Sequence, residues 1–303
     1  MIVHHTISDL YKAMGQPIDQ ELDFTVHFLP DLHQTLPFRS PTFRAEYFSF
    51  VFIKQGAGFY TIDEHRFPYA SQTVYFTNPG HIKSFEIETS EDAFIITLTE
   101  TFLRENVHPD IFEEFPFLLA EIVPPRQLSE SAYEAFEVIY KQLWTEFRGD
   151  SPYKGRILGN LFVVLLLKIK ESFWEAYDPL AEGSRDSQIV KSFKKHLERI
   201  FTQKSDGMSM TGRPQVRDFA EALHLHPNYL NAVIKSKTGK TVNDWITNRT
   251  LSAARSMLLN TGDSIKEISH TLGFSEPTHF NRFFRNQQQE TPSAYRKRGQ
   301  SSQ

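Results

Sequence analysis

Four residues near the end of the chain, Thr278, Asn281, Arg282 and Arg285, recur at i, i+3, i+4 and i+7. On an α-helix that spacing puts them on one face. Their chemistry suits the edges of base pairs. An Asn amide pairs in two-pronged fashion with adenine and an Arg guanidinium with guanine, each pair discriminating by about 1–3 kcal/mol. Phe280, Phe283 and Phe284 fall on the other side of the same helix and would point inward. The residues just upstream supply a partner helix, with Ile265, Ile268 and Leu272 as its apolar stripe. Gly273 ends that helix, because a left-handed residue is cheapest as Gly. Phe274 would plug the turn, Ser275 is placed to cap the following helix, and Pro277 sits in its first turn, where no donor is lost. A helix–turn–helix with such an outward face has the geometry that enters a major groove.

The plan occurs twice. VRDFAEALHLHPNYLNAVIK repeats the order of IKEISHTLGFSEPTHFNRFF. In the first copy Phe219 and Leu223 pack, His224, Leu225 and His226 make the turn, and Pro227 opens the second helix. Leu230, Val233 and Ile234 face in, while Asn228, Asn231, Ala232 and Lys235 face out. The base-reading candidates are therefore Asn228, Asn231, Thr278, Asn281 and Arg282. Lys235, Lys237, Lys240 and Arg285 are the candidates for phosphate, which gives affinity without sequence information. A helix over residues 242–260 lies between the copies. It would fix their separation, so that both could enter successive major grooves about 34 Å apart.

Charge divides the 303-residue chain along the same line. Residues 185–303 hold 19 Lys and Arg against 10 Asp and Glu, a net +9, and the remainder nets −13 within an overall −4. The basic part suits a polyanion. No cysteine occurs, which excludes disulfides, thiolate metal sites and Cys nucleophiles and fits a reducing cytoplasm. MIVHHTISDL lacks a basic segment followed by an apolar run, so no signal peptide is expected. The longest apolar segment, residues 157–167, is about half the ~20 residues of a membrane span. A soluble, cytoplasmic protein without a membrane partner is the expectation.

Residues 20–100 alternate short runs of β-formers (FSFVFIKQG, GFYTID, TVYFTNPG, SFEIET, FIITLT) with Gly, Pro and Asn punctuation. That pattern predicts a small antiparallel barrel or a double-sheet roll. Helical periodicity takes over near Thr101. One helix over 131–147 shows Phe136, Ile139, Tyr140, Leu143 and Phe147 as its stripe, and a second over 153–177 is apolar almost all round between Leu161 and Leu167. The pair, residues 131–177, either packs on its own barrel or forms the seam of a homodimer. DPLAEGSRDS, residues 178–187, reads as an interdomain linker. The expected class is α+β with two domains: 1–180, a β-barrel followed by a helical hairpin, and 185–303, all-α with two helix–turn–helix units.

The C-terminal hundred residues resemble the AraC/XylS-type transcriptional regulators. The matching positions are Leu230, Thr238-Gly239-Lys240, Trp245-Ile246, Ala254, Leu258, Ile265, Ile268, Leu272-Gly273-Phe274, Phe280, Phe284, Thr291-Pro292 and Tyr295-Arg296. Two positions depart from the pattern. Glu290 stands where members usually have Gly before Thr-Pro, and Ala232 replaces a longer polar residue on the first reading helix. The resemblance implies a promoter or operator in double-stranded DNA as partner, with RNA polymerase added if the chain activates. It also implies a cupin-like N-terminal domain for sensing and dimerisation, with a small-molecule effector inside.

Tyr47, Phe50, Phe52, Tyr60, Phe76 and Phe85 are the candidate lining, suited to an apolar or planar ligand over a sugar. The rival class is a metal-dependent cupin enzyme, which needs two or three His and a carboxylate on one face. His27, His33, His65 and His81 form no HxH pair with a trailing Glu; His65 and His81 read as turn or rim residues, and His224-x-His226 lies in the first turn. No catalytic constellation, metal site or cofactor is expected.

Overall fold

The computed structural model describes residues 2–13, 15, 22–33, 35–108, 111–120, 122–173, 185–205 and 212–301. Most of the expected linker, residues 178–184, and the expected helix end at Tyr177 lie outside the described residues. The chain forms two compact units, Met1–Ile111 with Phe115–Ala181, and Glu182–Gln303 with Phe112–Glu114. The β-rich first part and the all-helical last part are the α+β class read from the sequence.

The first unit opens with β1 (Ile2–His4), α1 (Ile7–Ala13), β2 (Phe24–Phe28), α2 (Leu29–Leu32), β3 (Phe38–Arg39) and β4 (Phe43–Ala45). Then come β5 (Phe48–Ile62), β6 (His65–Tyr69), β7 (Thr73–Thr77) and β8 (Ile82–Leu98). In chain order there follow the short turns α3 (Glu100–Phe102) and α4 (Ile111–Glu114, all but its first residue counted with the second unit), then β9 (Arg126–Gln127), α5 (Glu130–Arg148) and α6 (Lys154–Phe173). The two long strands pair with each other from Phe48↔Leu98 to Ile62↔Lys83. One half of this ribbon carries β7 and β2, and the other half carries β6, β3 and β4. The result is a double-sheet roll, two half-sheets sharing one bent ribbon.

Three register shifts between Ile53 and Gly58 make the bend. They also change which residues face inward, since a bulge adds one residue to a period of two. Gly58 stands at the last shift, where a Cβ would overlap the Glu86 carbonyl oxygen and the Tyr69 phenol that donates to it. On the outer face of the first half-sheet, Phe50 stacks on Phe76 and meets Phe162 of α6 edge-on at 5.1 Å. Phe52 and Phe94 pack on Tyr140 of α5, with ring centres 5.1 and 4.9 Å apart. The helical hairpin thus covers its own roll. Part of α6 stays uncovered: Val164 and Leu167 are 44% and 46% exposed.

The second unit runs α7 (Arg185–Ser205), α8 (Val216–Ala222), α9 (Pro227–Thr238), α10 (Val242–Asn260), α11 (Ile265–Thr271), α12 (Pro277–Gln288) and α13 (Pro292–Ser301). It holds two cores. Phe193, Leu197, Phe219, Leu230 and Ile234 form the first with Val242 and Ile246 from the start of α10. Ile268, Leu272, Phe280, Phe284 and Tyr295 form the second with Ala254 and Leu258 from its end. Between them, the buried Arg249 Nε donates to the buried Glu198 Oε2 at 3.1 Å, tying the middle of α10 to α7.

Two stability measurements follow. Gly58→Ala should cost the first unit about 1–3 kcal/mol, because a methyl group is forced into backbone and ring atoms. Urea unfolding followed by the Trp144 fluorescence reads this, and a wild-type midpoint would refute the steric argument. Glu198→Gln should cost about 3 kcal/mol, since it leaves the Arg249 charge buried beside a neutral partner. An unchanged helical melting transition would show that solvent or another group takes over the charge.

Candidate nucleic-acid interface and interior cavity

The two helix–turn–helix turns use the same bonds. In the first, the His224 and Leu225 amides donate to the Glu221 and Ala220 carbonyls; in the second, Gly273 and Phe274 donate to His270 and Ser269. Both pivot on a left-handed residue, Gly273 at φ 82° and His224 at φ 55°. A non-glycine residue there costs on the order of 1 kcal/mol, so the first turn is held by its surroundings at some strain. Gly273 has a second reason, because a Cβ would overlap the Gly212 carbonyl.

Capping sharpens the helix starts. Ser264 and Glu267 exchange bonds at the start of α11, as Thr241 and Asp244 do at α10, each forming a capping box. The expected cap of α12 is corrected. The N-cap residue is Glu276, without a side-chain cap bond, and Ser275 Oγ instead lies 3.3 Å from His279 Nδ1. Glu290 does not hold the left-handed position after α12; Gln289 does, at φ 58°, while Glu290 accepts from Arg298 at 2.8 Å.

The reading candidates divide. Thr278, Asn281, Arg282 and Arg285 are all exposed along α12, opposite the buried Phe280 and Phe284. On α9, Asn228 and Lys235 are exposed, and Lys237 is partly exposed. Lys240 lies half-buried just past its end, within 6.0 Å of the Trp245 ring. Asn231 is partly exposed, and its Oδ1 accepts the Val242 backbone N–H at 3.0 Å. That bond takes one of the two lone pairs of the amide oxygen that a two-pronged contact with adenine would use, and it ties α9 to the start of α10. No local pattern marks this bond, which spans a turn.

The roll encloses a cavity of about 90 Å³. Of the expected lining, Tyr47, Tyr60 and Phe85 are present. Phe50, Phe52 and Phe76 are not; from the opposite face Phe50 and Phe52 meet the helical hairpin, and Phe76 packs on Phe50 and Phe117. The cause is the bulge. Ser49, Val51 and Ile53 face the cavity before it and Tyr60 after it, so odd positions give way to even ones along β5. Lys83, with Thr77, lines the same cavity and was missed, because a lone Lys in a strand ordinarily marks the solvent face. Lys83 is 3% exposed, and its Nζ donates to Thr77 Oγ1 at 2.7 Å. Burial pushes its pKa down to about 7, partly opposed by the nearby Asp63.

The histidines do not cluster. His81 is buried and pairs with Asp63 at 2.9 Å, not a rim residue as expected, whereas His65 is exposed. Burial holds His27 down to about 4. Among the described residues, no three His, Asp or Glu side chains gather as a metal would require. No described helix is long and apolar enough to cross a membrane.

A family described as "Helix-turn-helix domain" matches residues 219–298, from Phe219 of α8 to Arg298 of α13. The HTH-type transcriptional regulator YfiF of Bacillus subtilis is 21% identical over 91% of this chain and 84% of its own length. The HTH-type transcriptional activator RhaS of Pectobacterium carotovorum is 22% identical over 83% of this chain and 85% of its own. Among solved structures, apo ToxT of Vibrio cholerae is 12% identical, covers 92% of this chain and 98% of that one, and has a TM-score of 0.40. Both of these relatives are HTH-type transcriptional regulators by name. The repeated turns fall within the matched stretch, and residues 219–298 form a helix–turn–helix domain similar to those of HTH-type transcriptional regulators.

Proposed function

We propose that this regulator reads its operator with Asn228 on α9 and Thr278, Asn281 and Arg282 on α12. Lys235, Lys237, Lys240 and Arg285 hold the phosphates on either side. The observation that carries the reading is the exposed polar face of α12, backed by Phe280 and Phe284 at 0% exposure, so that face has no packing role. α12 is the richer reader. On α9, Asn231 is committed to α10 and Ala232 offers no polar group. Residues 1–180 serve as the sensor and dimerisation domain and residues 185–303 as the DNA-binding domain. A small molecule in the roll's cavity is the effector, and the protein works in the cytoplasm.

The homodimer is assigned to the uncovered side of the 131–177 helices, where Val164 and Leu167 lie one turn apart on α6 and Val138 on α5 is also exposed. Apolar side chains exposed together on an otherwise covered hairpin favour burial against a second copy. RNA polymerase joins as a partner if the chain activates.

Two experiments test these assignments. With duplexes selected from a random pool, Arg282→Ala in the full chain should relax the preference at one base pair, a loss of about 1–3 kcal/mol against that base. Lys235→Ala should weaken all duplexes alike and lower the salt slope by about one. If neither change alters binding, the faces are wrongly assigned. Light scattering on the Val164→Glu, Leu167→Glu double variant should give a monomer where the wild-type chain is a dimer; a wild-type monomer would end the dimer assignment.

A further inference from the structure

The chain enters its first helix–turn–helix by way of the second. Gly212 and Arg213 lie just ahead of α8, whose N-cap is Gln215. Neither belongs to a helix, yet both are seated on the turn and reading helix of the other copy. The Gly212 carbonyl occupies the space that a Cβ on Gly273 would need. The Arg213 guanidinium carbon stands 4.8 Å from the centre of the Phe283 ring on α12 and 5.8 Å from that of Phe274 in the turn. Its Nη2 donates to Thr247 Oγ1 on α10 at 3.0 Å. One side chain thus joins the lead of the first reader, the spacer and the second reader.

Stability gives no reason for an arginine there. Burial pushes its pKa down, and its Nε is buried without a hydrogen bond. The partners it has are two aromatic rings and a neutral hydroxyl. An aliphatic side chain would fill the space without leaving a donor unpaired. What arginine adds is a flat cation that stacks on aromatic faces, with a fork that reaches a hydroxyl beyond them. Such a contact has direction as well as strength.

Its place decides what it can do. α10 fixes the distance between the two cores, because a helix resists stretching through its backbone bonds. Rotation of one helix–turn–helix about the α10 axis is resisted by the packing of that copy. A tie off the axis resists such rotation directly, and Phe283 is the neighbour of Arg282 on the reading helix. We infer that Arg213 is a positioning residue: held by Thr247 and stacked on Phe283, it fixes the angle of α12 about α10, and with it the half-site spacing that both helices can read at once. This rests on the reading of α9 and α12 as the helices that contact DNA, and it adds what sets their phase. One base pair inserted between half-sites moves the second by about 3.4 Å and about a tenth of a turn. An angle fixed in the protein therefore becomes a preferred spacing in the operator.

The test titrates the full-length protein with the selected operator, with the same duplex lengthened or shortened by one base pair between half-sites, and with duplexes keeping a single half-site. Wild type should lose about tenfold or more on either change of spacing. Arg213→Met, of similar reach but without charge or donors, should bind single half-sites as wild type does. Its affinities for the altered spacings should come within about threefold of that for the selected one. Arg213→Lys, which keeps the charge and loses the fork, and Thr247→Val, which loses the acceptor, should both fall between. A variant that merely lowers the folded fraction weakens every duplex alike and leaves the ratio between spacings unchanged, so the ratio is the readout. A wild-type ratio in Arg213→Met, or single half-sites weakened as much as the operator, would overturn the role of Arg213 and leave the two readers standing. Should Arg213→Met fail to fold, a wild-type ratio in Thr247→Val overturns it instead. A wild-type protein indifferent to spacing would remove the two-reader assignment itself, and the positioning role with it.

Discussion

Whatever the C-terminal unit does to a duplex depends on α10 remaining one unbroken helix with its ends in different cores. Val242 and Ile246 are buried with α9, and Ala254 and Leu258 with α12. Neither reading helix could move against the other without pulling an α10 residue out of its core. Each such withdrawal exposes an aliphatic side chain at a cost of about 1.5–3 kcal/mol. The capping box at Thr241 and Asp244 and the Asn231 bond to Val242 fix where the helix starts. The Arg249–Glu198 pair fixes its middle against α7. A stiff spacer is what two weak readers would need in order to add. Once one is seated the other is held at high effective concentration, provided the spacing matches the groove repeat.

The same stiffness explains why the two readers are unequally equipped. α9 borders α7, α8 and α10, and it spends Asn231 on holding that junction. α12 has its apolar residues on one side, where Phe280 and Phe284 meet Phe274 and Tyr295. Its opposite face is free of structural duty, and there the hydrogen-bonding side chains collect. Likewise the first turn tolerates His224 in a left-handed conformation, while the second, where the Gly212 carbonyl approaches, requires Gly273.

The C-terminal architecture was legible because helical periodicity and turn chemistry act over a few residues. Leu272-Gly273-Phe274 and Pro277 announce their turn, and the inward Phe280 and Phe284 fix by subtraction what faces out. The illegible parts are those decided by partners distant in sequence. Ser275 looked like a cap, yet Glu276 holds the position. The bond from Val242 to Asn231 spans a turn and leaves no local mark in the sequence. In the roll, strand identity was readable from β-formers and turn residues, but the inward face was not. Tyr60 and Phe50 are both even-numbered on one strand, and alternation puts them on the same side. The shifts between Ile53 and Gly58 put them on opposite sides, and nothing local in that stretch beyond two glycines marks the change.

Lys83 shows the same limit from the side of charge. A strand with Lys at one position and Phe85 and Ile87 at the next positions of that parity would be read as placing the Lys at the edge of an apolar face. The roll closes over that face instead, and the ammonium ends 3% exposed against Thr77. An aliphatic residue would fill this volume without the desolvation penalty, which for a lone buried charge amounts to several kcal/mol even after relaxation. Packing therefore gives no reason for a lysine here.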